Sequence, residues 1–185
     1  MFRRLGAGGV LGAAIALCLT ACQSSGEPAA LQAPAQPPAS SCPSAQGYQH
    51  GTLDYRLCYP SGWSVRDYTA DPGAGGALSV VAFGPSLPGH PAEVEFMPPI
   101  EVRVLADSRS SVESEFSQQA ARQLTRVAGQ EADQVVIDDG PAAGTVVVLV
   151  EYHGRTYLLE RAPSSRYQPP FERLLQSFAF APPNS

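Results

Sequence analysis

The run Val146-Val147-Val148-Leu149-Val150 restricts the fold more than any other stretch. Successive residues of a strand point to opposite faces, so an unbroken apolar run has to be covered above and below. Thr145 to Tyr152 therefore reads as a central strand of a sheet buried on both sides. His153-Gly154 follows as a tight turn, and Thr156 to Arg161 returns antiparallel.

The remaining segments fit around that strand. Order begins near Tyr48, where Leu53, Tyr55, Leu57 and Tyr59 alternate with Asp54, Arg56 and Cys58, the period of a half-buried strand. Pro60-Ser61-Gly62 turns the chain into a short strand with Trp63, Val65 and Asp67 on one face. Ala77 to Phe83 and Ile100 to Leu105 are further strands. Between them Gly84 to Pro99 is a long proline-rich connection in which only Val94-Glu95-Phe96 suggests an extended piece. Ser110-Ser111-Val112-Glu113 resembles a capping box, and Val112, Phe116, Ala120, Leu124 and Val127 recur at helical spacing up to Gly129. An amphipathic helix through Val127 is the expectation. Val135 to Ile137 is a strand running into the turn Asp138-Asp139-Gly140-Pro141. Pro169-Pro170 opens a last helix with Phe171, Leu174, Leu175 and Phe178 inward, and Ala179-Phe180 closes the domain. The fold class is α+β: a mostly antiparallel sheet with helices on both faces.

The N-terminus sets the compartment. Arg3 and Arg4 precede an apolar segment, Leu5 to Leu19, the order of a secretory signal and too short to span a bilayer. It ends in Leu19-Thr20-Ala21-Cys22, which resembles the lipobox of bacterial lipoproteins. The resemblance implies cleavage before Cys22 and lipid on that cysteine; two or more acyl chains make a stable anchor. Gln23, where an Asp commonly retains such proteins at the inner membrane, leans the localisation toward the outer membrane, with the cell membrane as the alternative. The expected organisation is a signal peptide at 1–21, the lipidated cysteine with a Pro/Ala-rich tether at 22–44, and a globular domain at 45–181. The tether is Pro, Ala, Gln and Ser with almost no bulky apolar residue, so it cannot bury enough surface to fold alone.

Cys42 and Cys58 remain after Cys18 is discarded and Cys22 acylated. Export places them in an oxidising space, so a disulfide is the expectation, worth roughly 3 kcal/mol for a loop of about 15 residues. The alternative, a redox pair, lacks the Cys-x-x-Cys spacing.

Composition removes several function classes. The chain has no lysine, which excludes a Walker-type phosphate loop, a Schiff-base lysine and a Ser-Lys pair. A formal charge of −5 without a basic run argues against nucleic acid. His50, His90 and His153 lack ligand spacing, Asp138-Asp139 lacks the acidic ladder of a calcium loop, and no Gly-x-Ser-x-Gly elbow occurs. No metal, cofactor or catalytic residue is expected. Glu93, Glu95 and Glu101 read either as an acidic patch or as a solvated strand face. Arg122 and Arg126, one helical turn apart on the expected helix, could meet an acidic partner or face solvent. Tyr152 and Tyr157, flanking His153, read either as an exposed aromatic patch or as sheet-packing side chains. These five residues form the candidate interaction surface.

Tyr59-Pro60-Ser61-Gly62-Trp63-Ser64-Val65 resembles the strand–turn–Trp opening of PsbP-like domains. Phe171-Glu172-Arg173-Leu174-Leu175-Gln176-Ser177-Phe178-Ala179-Phe180 resembles their closing helix, with its Ser-Phe-x-Phe ending. The resemblance spans roughly Tyr48 to Phe180 and implies an α/β/α sandwich. It also implies binding to other proteins rather than catalysis, although fold alone does not carry function. Three readings follow in order. The first is a membrane-anchored envelope lipoprotein acting as a protein-interaction or assembly module with an envelope protein partner. The second is a carrier of a small apolar or amphipathic ligand. The third is a hydrolase.

Overall fold

The computed structural model describes residues 42–86, 99–116 and 120–181. The signal, Cys22, the tether up to Ser41, His90, Glu93, Glu95 and the Val94-Glu95-Phe96 piece lie outside the described residues. In chain order the elements are β1 (Ala45–Gln49), β2 (Tyr55–Pro60), β3 (Trp63–Asp67), β4 (Ser79–Pro85), β5 (Ile100–Leu105) and α1 (Arg109–Glu115). They continue with β6 (Ala120–Val127), β7 (Gln130–Ile137), β8 (Val146–Tyr152), β9 (Arg155–Arg161), α2 (Gln168–Ser177) and β10 (Ala179–Phe180). The strands form a three-stranded sheet, β1-β2-β10, and a seven-stranded sheet, β3-β4-β5-β9-β8-β7-β6, antiparallel at every pairing.

The apolar run lies on β8, and its alternate residues enter two clusters. Val148 and Val150 pack with Val102, Leu159, Tyr55 and Leu57, together with Phe171, Leu174 and Phe178 from the α2 region. Val147 and Leu149 pack with Val135, Leu158 and Val112 of α1. Every residue from Val147 to Val150 is buried, the result the run requires.

The largest departure from expectation is the helix drawn through Val127. α1 stops at Glu115, and Ala120–Val127 is strand β6, paired with β7 from Ala120↔Ile137 to Val127↔Gln130. The reason is Ala128-Gly129. Both residues have positive φ, 52° and 79°, as a two-residue hairpin of the primed type needs. Gly129 thus serves a hairpin, not a helix end. Leu124, placed on the buried stripe by helical spacing, is 70% exposed. The N-cap is also shifted: Ser108, not Ser110, accepts from the Ser111 amide. His153-Gly154 repeats the Ala128-Gly129 geometry, with φ of 50° and 70°, and closes the β8–β9 hairpin as expected.

Order starts earlier than Tyr48, because all of β1, from Ala45 on, pairs with β2 from Pro60 back to Arg56. The Cys42–Cys58 disulfide is present, with Cα atoms 5.6 Å apart. It staples the segment before β1 to the middle of β2, where Cys58 lies opposite Gly47.

Candidate functional site

The expected interaction surface is not assembled. Tyr157 is 1% exposed, because its place in the β9 alternation points it into the main cluster, and its hydroxyl donates to the Leu53 carbonyl at 2.9 Å. Burial pushes that hydroxyl's pKa up. Tyr157 therefore belongs to the core and not to an exposed aromatic patch. Tyr152 is half-buried, stacked between His153 and Phe180 with centroids 3.9 Å away on each side. Arg122 sits on strand β6, where it donates to the Glu113 carbonyl at 2.7 Å and faces its carboxylate at 3.8 Å. Arg126 donates to Gly129 in its own hairpin. The helical spacing argued for this arginine pair does not exist.

Several ionisable groups elsewhere have partners within the fold. His50 Nδ1 accepts from the Thr52 and Leu53 amides at 3.2 Å, so that nitrogen is unprotonated. Burial lowers the His50 pKa, with the Asp67 charge opposing. Asp67 accepts from the Thr69 amide at 2.8 Å, and Thr69 in turn accepts from Val80. Glu101 pairs with Arg103 at 2.8 Å beside Glu160, whose carboxyl burial pushes up. Among the described residues no group of three His, Cys, Asp or Glu side chains is placed to hold a metal ion.

A groove forms instead where four segments converge. It has a volume of about 510 Å³ and is lined by Pro60, Trp63, Pro85, Arg166, Tyr167, Pro169, Pro170 and Arg173. The β2–β3 corner supplies Pro60 and Trp63, and Pro85 lies opposite Trp63 in the β3–β4 register. The far wall comes from the turn Ser165–Tyr167 and the start of α2. Buried Arg161 holds that turn, donating to the Ala162 and Ser164 carbonyls at 2.8 and 3.0 Å. α2 is tied to β2 by Ser177, whose hydroxyl accepts from the Cys58 amide at 2.9 Å.

Trp63 and Tyr167 meet at 84° with centroids 6.2 Å apart. Arg166 lies over the Tyr167 ring at 4.4 Å, a cation–π contact, and donates to its hydroxyl. Arg173 is exposed and has no ion-pair partner among the described residues. Among the described residues the lining contains no carboxylate. An apolar trough with two cations at its rim can seat an extended or flat ligand and read a negative charge on it. Among the described residues its lining has no His, Cys, Ser, Asp or Glu. Sequence reasoning reached Trp63 and the Pro169-Pro170 helix start but not their meeting, because the residues are about a hundred positions apart.

No family model matches the chain, and no curated protein matches it. Among solved structures it is similar to the solution structure of cyanobacterial PsbP (CyanoP) from Synechocystis sp. PCC 6803. The identity is 14% and the TM-score 0.40, over 74% of this chain and 92% of that one. A likeness at that level identifies no family.

Proposed function

We propose that this chain is a cell-envelope lipoprotein, anchored through acylated Cys22, whose exported domain is a protein-docking module. The observation that carries the reading is the groove between Trp63 and Tyr167. It is aromatic, open to solvent at Arg166, Pro169 and Arg173, and bordered by cations in a chain of net charge −5. Aromatic and arginine side chains are the residues that carry most energy at protein interfaces. The anchor rests on Leu19-Thr20-Ala21-Cys22 at the end of an apolar run. A PsbP-like sandwich with a helix against each face is the matching fold reading. It is supported by the separate clusters that hold Val112 and Phe171. The domain does not act as an enzyme on this reading, and it faces the periplasm or exterior.

The experiment is native mass spectrometry of the full-length protein, extracted gently from its own membranes. A lipid mass on Cys22 and a stoichiometric protein adduct are expected, and Cys22→Ser should move the protein from the membrane to the soluble fraction. A retained small molecule without a protein adduct contradicts docking. It would favour the carrier reading, which the groove's size also fits, since small-ligand sites span roughly 300–1,000 Å³.

A further inference from the structure

We infer that the groove's partner is a proline-rich, extended segment of an envelope protein that carries a carboxylate beside its prolines. This rests on the docking reading and names its ligand. Trp63 and Tyr167 meet edge to face at 84°, so the pair lines the groove with apolar ring surface in two orientations, against which pyrrolidine rings can pack. Pro60, Pro85, Pro169 and Pro170 complete the walls with side chains that have little rotamer freedom to lose. A polyproline II ligand is equally stiff, so both sides keep the ordering cost of association low. Its three residues per turn rise about 9 Å and return every third side chain to the same face. Aromatic-lined grooves are the recurring receptors for such segments.

Charge supplies the second half of the identification. Arg166 is already positioned by the Tyr167 ring, and Arg173 stands one turn into α2 without an ion-pair partner among the described residues. Neither meets a carboxylate among the described residues of the lining. A guanidinium presents a planar fork that binds a carboxylate through two parallel hydrogen bonds. A purely apolar ligand would leave the Arg173 charge unmatched among the described residues.

Trp63 is the only tryptophan in the chain and lies in the groove, so its emission reports occupancy. The full-length lipidated protein, in detergent, is titrated with acetyl-Pro-Pro-Glu-Pro-Pro-Glu-Pro-Pro-Ala-amide. A saturable emission shift is expected. Replacing the peptide's Glu by Gln, or Arg173→Ala in the protein, should each weaken binding by about 10-fold, the scale of one charge-assisted contact. Tyr167→Ala should weaken it at least as much, and a peptide with Gly in place of Pro should not bind. Thermal melts separate loss of the groove from loss of the fold.

No saturable shift in a protein that melts like wild type overturns the inference, as does equal binding of the Gln peptide. Tighter binding after Pro34, Pro37 and Pro38 are changed to Ser would also overturn it, since the chain's own tether would then be the occupant. The two readings fail separately. A protein adduct that survives Tyr167→Ala in native mass spectrometry keeps the docking module and removes this groove. An adduct lost in Tyr167→Ala without any peptide response removes the proline-rich ligand alone.

Discussion

Two ends of the molecule carry paired arginines and use them in opposite ways. At the β6–β7 end, Arg109 reaches Glu113, Glu131 and Asp133 at 3.2–3.4 Å, and Arg122 closes on the end of α1. At the groove end, Arg166 rests on a ring and Arg173 has no ion-pair partner among the described residues. The first end has carboxylates in excess and its cations are spent inside the fold. The second has cations and, among the described residues, no carboxylate in its lining. Positive charge available to a partner is therefore located by what surrounds an arginine, not by how many occur together in sequence.

The largest effect should come from loosening the groove's far wall. Leu174 is fully buried on the inner face of α2, and Leu174→Ala should cost about 2–5 kcal/mol in urea unfolding. Trp63 emission should shift to the red in the folded variant, because Tyr167 and the prolines lose their backing. Comparable loosening at the near wall follows from the double change Cys42→Ser and Cys58→Ser. It should cost about 3 kcal/mol by the chain-entropy estimate, read as a lowered denaturation midpoint. Pro60, opposite Ala45 in the stapled β1–β2 pair, carries that change to the groove.

The charge contrast itself is tested by a matched pair. Arg122→Ala should destabilise by about 1 kcal/mol, since it strips a carbonyl partner from α1 and a counter-charge from Glu113. Arg173→Ala should stay within about 0.5 kcal/mol, as for a surface side chain with nothing to hold. Equal losses in chemical denaturation would erase the distinction between the two ends.

The smallest effect is a pH dependence at the carboxylate-rich end. Desolvation, then Asp133, pushes the Glu113 carboxyl above its ordinary 4.5, with Arg109 and Arg122 opposing. Glu113 Oε1 lies 3.2 Å from Arg109 Nε yet makes no hydrogen bond. A raised folded-state pKa means the native state binds the proton more tightly than the unfolded chain. Its contribution is full below the ordinary value and lost as pH rises through the raised one. Glu113→Gln should therefore flatten the change in melting temperature between about pH 4 and about pH 6. An unchanged slope would mean that Glu113 does not set it.

How much of this could be read beforehand depends on whether the signal was local. The β8 run, the α2 stripe from Phe171 to Phe178 and the Cys42–Cys58 bridge each declare themselves within a short window, and each is found. Residues 120–127 mislead because Leu124 and Val127 continue the spacing set by Val112 and Phe116. The hairpin signal at Ala128-Gly129 sits beyond them, where the same glycine also reads as a helix stop. Tyr157 was readable in principle: it alternates with Leu159 on the inward side of its strand. β1 has no such signal, since Ala45, Gln46, Gly47 and Gln49 carry little apolar surface and are ordered by pairing with β2. The groove is assembled by tertiary structure from four separate segments, so no window of sequence contains it.

Site-directed photocrosslinking of the full-length chain in its own cells decides whether the groove is where a partner docks. A benzophenone amino acid replaces either Tyr167 in the groove or Leu124 on the exposed β6 strand. A discrete protein adduct is expected from position 167 and none from position 124, with the 167 adduct suppressed by Arg173→Ala. An adduct from 124 with none from 167 would place the docking surface at the other end of the molecule and contradict it.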